Sequence, residues 1–495
     1  MPLSRRPLSR RRFLTTSIAA AATGATPQLP AFGQTAAQKL TATTRSLDVN
    51  GKAARVYGLT GPGGKPGVTL GPGERFRFEL VNSTDVPTIV HWHGQTPPWK
   101  EDGFPWPQTP SLAAGTSRSY DFVPLSGTHW MHSHHGLQEQ RLLTAPLIVR
   151  SAADYREDRQ QVVVMLHDFS FREPDEILAD LTHTTPAEAE RMATREENVP
   201  TPATPSATAG SAVTTSPPAM SMAGKRDLND VDYDAFLAND RTISDPEVVR
   251  VTGGGRVRLR IINASASTQF WINLGSLTGE VIAADGHPVS PVAGSRFPLS
   301  IAQRLDVLLD VSRYGAFPIL AEVEGKRARA GIILATAGAR IAKVAEGTNE
   351  APAIDNSLEA KLSAIDPLPA RPADLVRQIR LTGDMQRYAW ALDGQYWPDI
   401  VPLMLKRGQR VEIELVNETG MAHPMHLHGH TFQVTALDRR PISGAVRDTV
   451  MVPPSGTVRI AFDADNPGRW AFHCHNLYHL ATGMLTEFRY EGIAV

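Results

Sequence analysis

The stretch His473-Cys474-His475, continued by His479 and Met484, constrains this chain more than any other. It holds the only cysteine in 495 residues. A single cysteine forms no internal disulfide, so its role lies elsewhere. Along a strand, side chains two apart share a face and the one between points the other way. His473 and His475 would then face one pocket and Cys474 another, a geometry that joins two metal sites by one short covalent path. A thiolate, two imidazoles and a weak thioether make up a blue-copper electron-transfer site. Cys474, His479 and Met484 supply three of these four, so another imidazole is expected elsewhere in the chain.

The length suggests about three domains, at roughly 150 residues each. Gly 39 and Pro 38 are high, and β-branched and aromatic runs recur between turn signals, which favours many short strands over long helices. The formal net charge of -1 gives no sign of a nucleic-acid partner. No apolar run after residue 40 is long enough to span a membrane. Residues 1–33 differ from the rest. They carry five arginines and no acid, then an Ala-rich apolar run from Phe13 to Ala22. Ser9-Arg10-Arg11-Arg12-Phe13-Leu14 reads as a twin-arginine signal, and Ala31-Phe32-Gly33 as a cleavage site. The expected partner is the twin-arginine export machinery and the expected address is the periplasm. The plainer alternative is a disordered basic tail. Removal of residues 1–33 takes the charge from -1 to -6.

Residues 38–155 read as a first β domain. Phe76 to Val81 alternates apolar and polar as a half-buried strand does. After the turn at Asn82-Ser83-Thr84-Asp85 come His91 and His93, two apart and on one face. A second pair, His132 and His134, follows. His129 and His135 are out of phase with it and read as supporting or surface residues. Residues 160–340 read as a second β domain, with strands at Val162 to Leu166, Val257 to Asn263 and Leu305 to Asp310. Its histidines, His167, His183 and His287, stand alone and read as packed or exposed. The domain's expected role is to space the outer two.

Within it lies an insertion. Pro174 to Glu197 is polar, with helical character around Ala187 to Arg195. The segment near 196–224 is rich in Pro, Ala, Ser and Thr, and should be a mobile loop. Met220-Ser221-Met222 has the soft sulfur that suits Cu(I), although two methionines in a loop is the plainer reading. Residues 341–375 read as a linker and 376–495 as a third β domain. Its strand Arg410 to Asn417 repeats the pattern of Phe76 to Asn82, and Arg256 to Asn263 parallels both. A threefold internal repeat is therefore expected. After the third turn comes His423-Pro424-Met425-His426-Leu427-His428, which supplies the missing imidazole.

Four histidine pairs thus stand two apart: His91/His93, His132/His134, His426/His428 and His473/His475. Eight imidazoles exceed one metal's needs and suit a three-copper cluster. His423, Cys474, His479 and Met484 suit one blue copper. A zinc site would need no such set.

The segments HWHG, HWMHSHHG, HPMHLHGH and HCHNLYHLATGM resemble the four copper motifs of the multicopper oxidases, laccase-like proteins of three cupredoxin domains. The resemblance spans essentially the whole chain beyond residue 33. It implies an all-β fold of three Greek-key β-sandwich domains, with the cluster between the first and third. It implies four copper ions. Type 1 is held by His423, Cys474, His479 and weakly by Met484, and type 2 by His91 and His426. One type 3 copper is held by His93, His132 and His475, the other by His134, His428 and His473. It further implies that a reductant gives one electron at a time near the His479 edge, the ligand usually nearest solvent in similar proteins. Cys474 then passes electrons to His473 or His475, and O2 is reduced to water. Asp102 matches an acid that assists proton delivery in similar enzymes; otherwise it is a turn aspartate before Gly103. A second acid found in some relatives falls here at Leu480. Arg141 to Pro146 lacks the glycines that relatives often have.

Substrate is left open between phenols, aromatic amines and low-valent metals such as Cu(I) or Mn(II). Met421 and Met425 flank His423 and could guide Cu(I), or simply pack. The alternatives are a periplasmic copper-sequestering protein with little turnover, a structural cupredoxin and a copper nitrite reductase. Filled ligand positions and the His-Cys-His bridge argue against all three.

Overall fold

The computed structural model describes residues 37–157, 159–198, 228–311, 313–347 and 349–493. The twin-arginine segment, its cleavage site and the Met220-Ser221-Met222 motif lie outside the described residues.

Three pairs of β-sheets follow one another along the chain. In the first, a four-stranded sheet runs Lys52–Thr60, Gln38–Val49, Phe76–Asn82, Ser117–Phe122. It faces a second of Val68–Leu70, Thr144–Val149, Gly127–Ser133 and Val90–His93. The middle pair has six and five strands, and spans Gln160–Phe169 to Arg329–Ala335. The last pair begins at Leu375–Asp384 and ends at Leu485–Tyr490. Among the described residues no helix is long and apolar enough to cross a membrane.

The three pairs repeat one design. Each opens with a strand that pairs in parallel with the alternating strand singled out in the sequence. Gln38–Val49 lies beside Phe76–Asn82, Gln160–Phe169 beside Gly255–Asn263, and Leu375–Asp384 beside Arg410–Asn417. The alternation has its physical basis in the pleat. In Phe76–Asn82 the side chains of Phe76, Phe78, Leu80 and Asn82 are buried and those between are partly exposed.

Each alternating strand ends on a buried asparagine that pins the following turn. Asn82 Nδ2 donates to the Val86 and Leu112 carbonyls, Asn263 Nδ2 to those of Thr268 and Leu299, and Asn417 Nδ2 to those of Met421 and Val452. Their Oδ1 atoms accept from the backbone amides of Thr84, Ser265 and Thr419. The turns after Asn82 and Asn417 deliver the chain to its histidine-rich strands. The middle turn leads to Phe270–Asn273, which carries no histidine.

The polar insertion contains more helix than its sequence suggests. Pro174–Thr182 and Pro186–Ala193 are both helical. The first is held by Ile177, Leu178 and Ala179, which join the core cluster that contains Cys474, Tyr478 and Met484. The stretch between the second and third sheet pairs is packed rather than free, since Ala351, Ile354, Leu358 and Leu362 are buried. In the glycine-poor turn, Leu142 takes a left-handed φ of 63° and is nonetheless buried. The loop keeps a glycine-like backbone, strained by about 1–2 kcal/mol.

The asparagine pins yield a test away from every metal-ligating residue. Asn263→Ala leaves two buried carbonyls and one buried amide without their partner. It should lower stability by about 2–3 kcal/mol, read as a downward shift of the first thermal transition with secondary structure intact at low temperature.

Candidate metal centres

Two adjacent strands of the first sheet pair, Val90–His93 and Gly127–Ser133, bring their histidines side by side, with His91 opposite His132. In the last pair, His423–Leu427 and Arg469–Cys474 do the same, with Met425 opposite Cys474 and His426 opposite His473. The two sets meet. Ligand atoms of His91, His93 and His426 lie within 4.8 Å of one another, as do those of His93, His132 and His475, and those of His134, His428 and His473. A further trio, His423, Cys474 and His479, forms separately. All eleven groups are buried.

The bridge is arranged as the strand reading requires. His473 and Cys474 end the strand Arg469–Cys474 and His475 follows it. His473 and His475 enter different histidine trios while Cys474 enters the separate one. Asn476 then caps the short helix Leu477–Ala481, with its Oδ1 accepting from the amides of Tyr478 and His479. That cap turns the His479 side chain back toward Cys474. Backbone bonds from Cys474 to the Met484 carbonyl and from Met484 to the His479 carbonyl hold Met484 beside them.

The hydrogen-bond partners fix which ring nitrogens carry protons, and this tests the fit to a metal. His91 Nδ1 lies 2.9 Å from the Asp102 carbonyl and His426 Nδ1 lies 2.8 Å from that of Asp448. Carbonyls only accept, so both Nδ1 atoms are donors and both Nε2 atoms carry lone pairs. Those Nε2 atoms face each other at 3.4 Å. The same holds for His428, whose Nδ1 donates to Asp102 Oδ2 at 2.7 Å, and His473, whose Nδ1 donates to the Cys474 carbonyl at 2.9 Å. Their Nε2 atoms are 3.0 Å apart. In the separate trio, His479 Nε2 faces Asp230 Oδ2 at 3.1 Å. His423 Nε2 faces the Thr419 hydroxyl at 2.7 Å, and that hydroxyl already donates to Asn417. The Nδ1 atoms of His423 and His479 are 3.2 Å apart, and each is 3.7 Å from Cys474 Sγ.

Opposed lone pairs at these distances repel unless a cation lies between them. The donor set of imidazole and sulfur suits copper. Burial also keeps the donors in binding form. It holds the imidazoles of His93, His132, His134, His423, His426, His428 and His475 well below their usual range, and brings His473 to about 4. It pushes the Cys474 thiol up, so a metal must displace its proton.

Carboxylates orient the rings, as outer partners of metal ligands generally do. Asp102 serves His428 and, more loosely, His91 at 3.4 Å. Three further acids carried no sequence signal, because none falls at a spacing that ties it to a histidine motif. Glu139 Oε2 is 2.8 Å from His132 Nδ1. Glu139 lines the same small cavity as Leu480, so an acid is present there although position 480 supplies none. Asp448 Oδ1 accepts from His93 Nε2 at 3.0 Å. Asp230, with its side chain 1% exposed, faces His479.

His479 is fully buried, as are His423, Cys474 and Met484, with the Trp390 ring 4.1 Å away and Asp230 over its Nε2. Of the flanking methionines, Met425 is fully buried in the core beside Cys474, and Met421 lines a cavity. Of the remaining histidines, His129 and His167 are buried, His135 pairs with Glu197, and His183 is exposed at a helix end.

The middle sheet pair does more than space the outer two. Its Arg304 reaches Asp448 through both guanidinium NH2 groups, the NH1 contact being 2.7 Å. Burial would raise the Asp448 carboxyl, but Arg304 holds it below the ordinary carboxylate range. Arg447 likewise joins Asp285 and Glu359, at 2.8 and 2.7 Å.

Known proteins resemble the chain in the same regions. Three family models, each described as multicopper oxidase, match residues 41–154, 177–340 and 370–492. The chain is similar to multicopper oxidase MmcO of Mycobacterium tuberculosis, with 32% identity over 93% of this chain and 88% of that one. It is similar to copper resistance protein A of Pseudomonas syringae pv. tomato, with 26% identity over 98% and 99% of the two. Its fold matches the crystal structure of a laccase from Botrytis aclada at a TM-score of 0.70, with 22% identity over 92% of this chain and 88% of that one.

The buried ion pair beside the histidine cluster can be tested directly. Arg304→Met leaves Asp448 charged and unpaired, and should cost about 3–5 kcal/mol. Adding Asp448→Asn should recover part of that loss. A double-mutant cycle in urea reads the coupling, and additive losses would mean that the pair does not act as a unit.

Proposed function

This chain belongs to the multicopper oxidase family, and on that premise we propose its copper sites, its donors and its address. It is an oxidoreductase that couples oxidation of a reductant to reduction of O2. In our reading four coppers are bound. His423, Cys474 and His479 hold type 1, with Met484 as weak axial ligand. His91 and His426 hold type 2. His93, His132 and His475 hold one type 3 copper, and His134, His428 and His473 the other. The observation that carries this reading is the set of opposed, buried lone pairs within the converging trios.

When bound, type 1 copper takes electrons singly and the three-copper cluster passes four of them to O2. Four donors that each lose one electron supply one O2, which with four protons gives two waters. The protein's part is positioning. Cys474 links the single site to the cluster through its neighbours His473 and His475. Asp102, Glu139 and Asp448 fix ring tautomers so that lone pairs face inward. Asp102 is also our candidate proton donor, because its carboxylate is buried against His91 and His428. The donor classes are phenols, aromatic amines, and low-valent metals such as Cu(I) or Mn(II). The address is the periplasm, reached by twin-arginine export, on the strength of the Ser9-to-Leu14 motif.

A second reading, a periplasmic copper-tolerance protein with little turnover, draws on relatives named for copper resistance. The two differ in copper-loaded protein. The oxidase reading expects about four coppers, an intense blue thiolate band, and oxygen uptake with a phenol or with Cu(I). One or two coppers, or no blue band, would favour sequestration. Asp102→Ala should slow oxygen reduction about 10- to 100-fold with the blue band intact; an unchanged rate would remove its role.

A further inference from the structure

The two imidazoles of the single-copper trio have unlike groups behind them. His423 Nε2 meets the Thr419 hydroxyl, which is neutral. His479 Nε2 meets a carboxylate, with Asp230 Oδ2 at 3.1 Å. Asp230 lies just ahead of the strand Ala235–Ala238 of the middle sheet pair. Its place is fixed from two sides. Asn476, the cap of the His479 helix, donates from Nδ2 to the same Oδ2 at 3.0 Å. The next residue, Val231, is buried in the core cluster that contains Cys474 and Met484. The Asp230 side chain is 1% exposed, so water screens its charge little.

We propose that Asp230, acting through His479, is a positioning residue that lowers the reduction potential of the single-copper site and so restricts its donors to readily oxidised ones, such as methoxy-substituted phenols. The proposal rests on the type 1 assignment in the oxidase reading above. His479 turns Nδ1 to the Cys474 sulfur, at 3.7 Å. A lone pair kept there for a metal puts the ring proton on Nε2, facing Asp230. A carboxylate on that outer nitrogen makes the imidazole a stronger electron donor to its metal. A fixed negative charge also favours the state of the site that carries more positive charge. Both effects stabilise the oxidised state over the reduced one. Electron entry is a one-electron equilibrium: the donor loses an electron, a phenol also releases its hydroxyl proton to solvent, and the single-copper site gains the electron. Asp230 shifts that equilibrium back toward the donor by at least about tenfold. Electron-rich rings overcome the shift, and unsubstituted phenol does so poorly.

The test uses copper-loaded full-length protein, titrated under argon against redox mediators with the blue band as readout. Asp230→Asn keeps the side-chain shape and removes the charge. Its potential should rise by about 59 mV or more, which is a tenfold shift for one electron. Asp230→Glu, which restores the charge, should return toward wild type. In oxygen uptake, the ratio of the rate with phenol to that with 2,6-dimethoxyphenol should rise severalfold in Asp230→Asn. Asp230→Ser makes the same charge change with a smaller side chain, and serves where the amide variant does not hold copper. An unmoved or lower potential in the two uncharged variants, an equal rise in Asp230→Glu, or loss of the blue band from both uncharged variants would overturn the proposal. The potential is read without turnover, so the two readings fail separately. An intact blue band with an unmoved potential removes the role of Asp230 alone, whereas a wild type without the band or with too few coppers removes the oxidase reading.

Discussion

The structure depends on a repulsion. Pairs of buried imidazole nitrogens point lone pair at lone pair across 3.0 to 3.4 Å, at three places. No protein group resolves this, because the opposite nitrogen of each ring is already committed to a carbonyl, a carboxylate or a hydroxyl. A cation resolves it, and a soft sulfur at one of the three places favours copper. Much of the surrounding architecture keeps those nitrogens aimed. The outer carbonyls and acids remove the tautomer in which a ring N–H would point inward.

Holding that arrangement takes three sheet pairs. The first and third contribute histidines from adjacent strands, and neither contains a complete cluster. Among the described residues the second supplies no histidine to the trios, yet its Arg304 neutralises the acid that orients His93. Asp448 thus connects a histidine of the first pair, an arginine of the second and the backbone of the third. A buried ionic contact of this kind adds little net stability, because desolvation offsets most of the attraction. Its place in the fold is what counts: it ties the three pairs together beside the point where the histidine trios close.

The asparagine pins show how sequence and structure meet. The same alternating strand ending in asparagine occurs three times, and in each case the side chain ties down the turn that follows. Two of these turns lead to histidines and the third does not. The repeat is a feature of the fold, and metal binding is added where the following strand supplies ligands. The helical insertion was harder to read. Its composition is polar, but Ile177, Leu178 and Ala179 are buried in the helix Pro174–Thr182 and join the core around Cys474. Three apolar residues in a polar run give too weak a period to identify from sequence.

By itself the sequence determined the all-β class, the threefold repeat and the candidate ligands. Strand periodicity places residues two apart on one face, so spacing alone separates Cys474 from His473 and His475. That inference is local and needs no knowledge of the rest of the chain. The tertiary structure alone decided what the ligands touch. Glu139, Asp230, Arg304 and Asp448 are charged residues far in sequence from most of their partners, and their local sequence does not tie them to the histidine motifs. Burial of His479 is likewise a property of packing, set by Trp390 and Asp230 rather than by its motif. The cavity beside it is walled by residues from 228 to 476. Such a cavity exists only once distant segments have met.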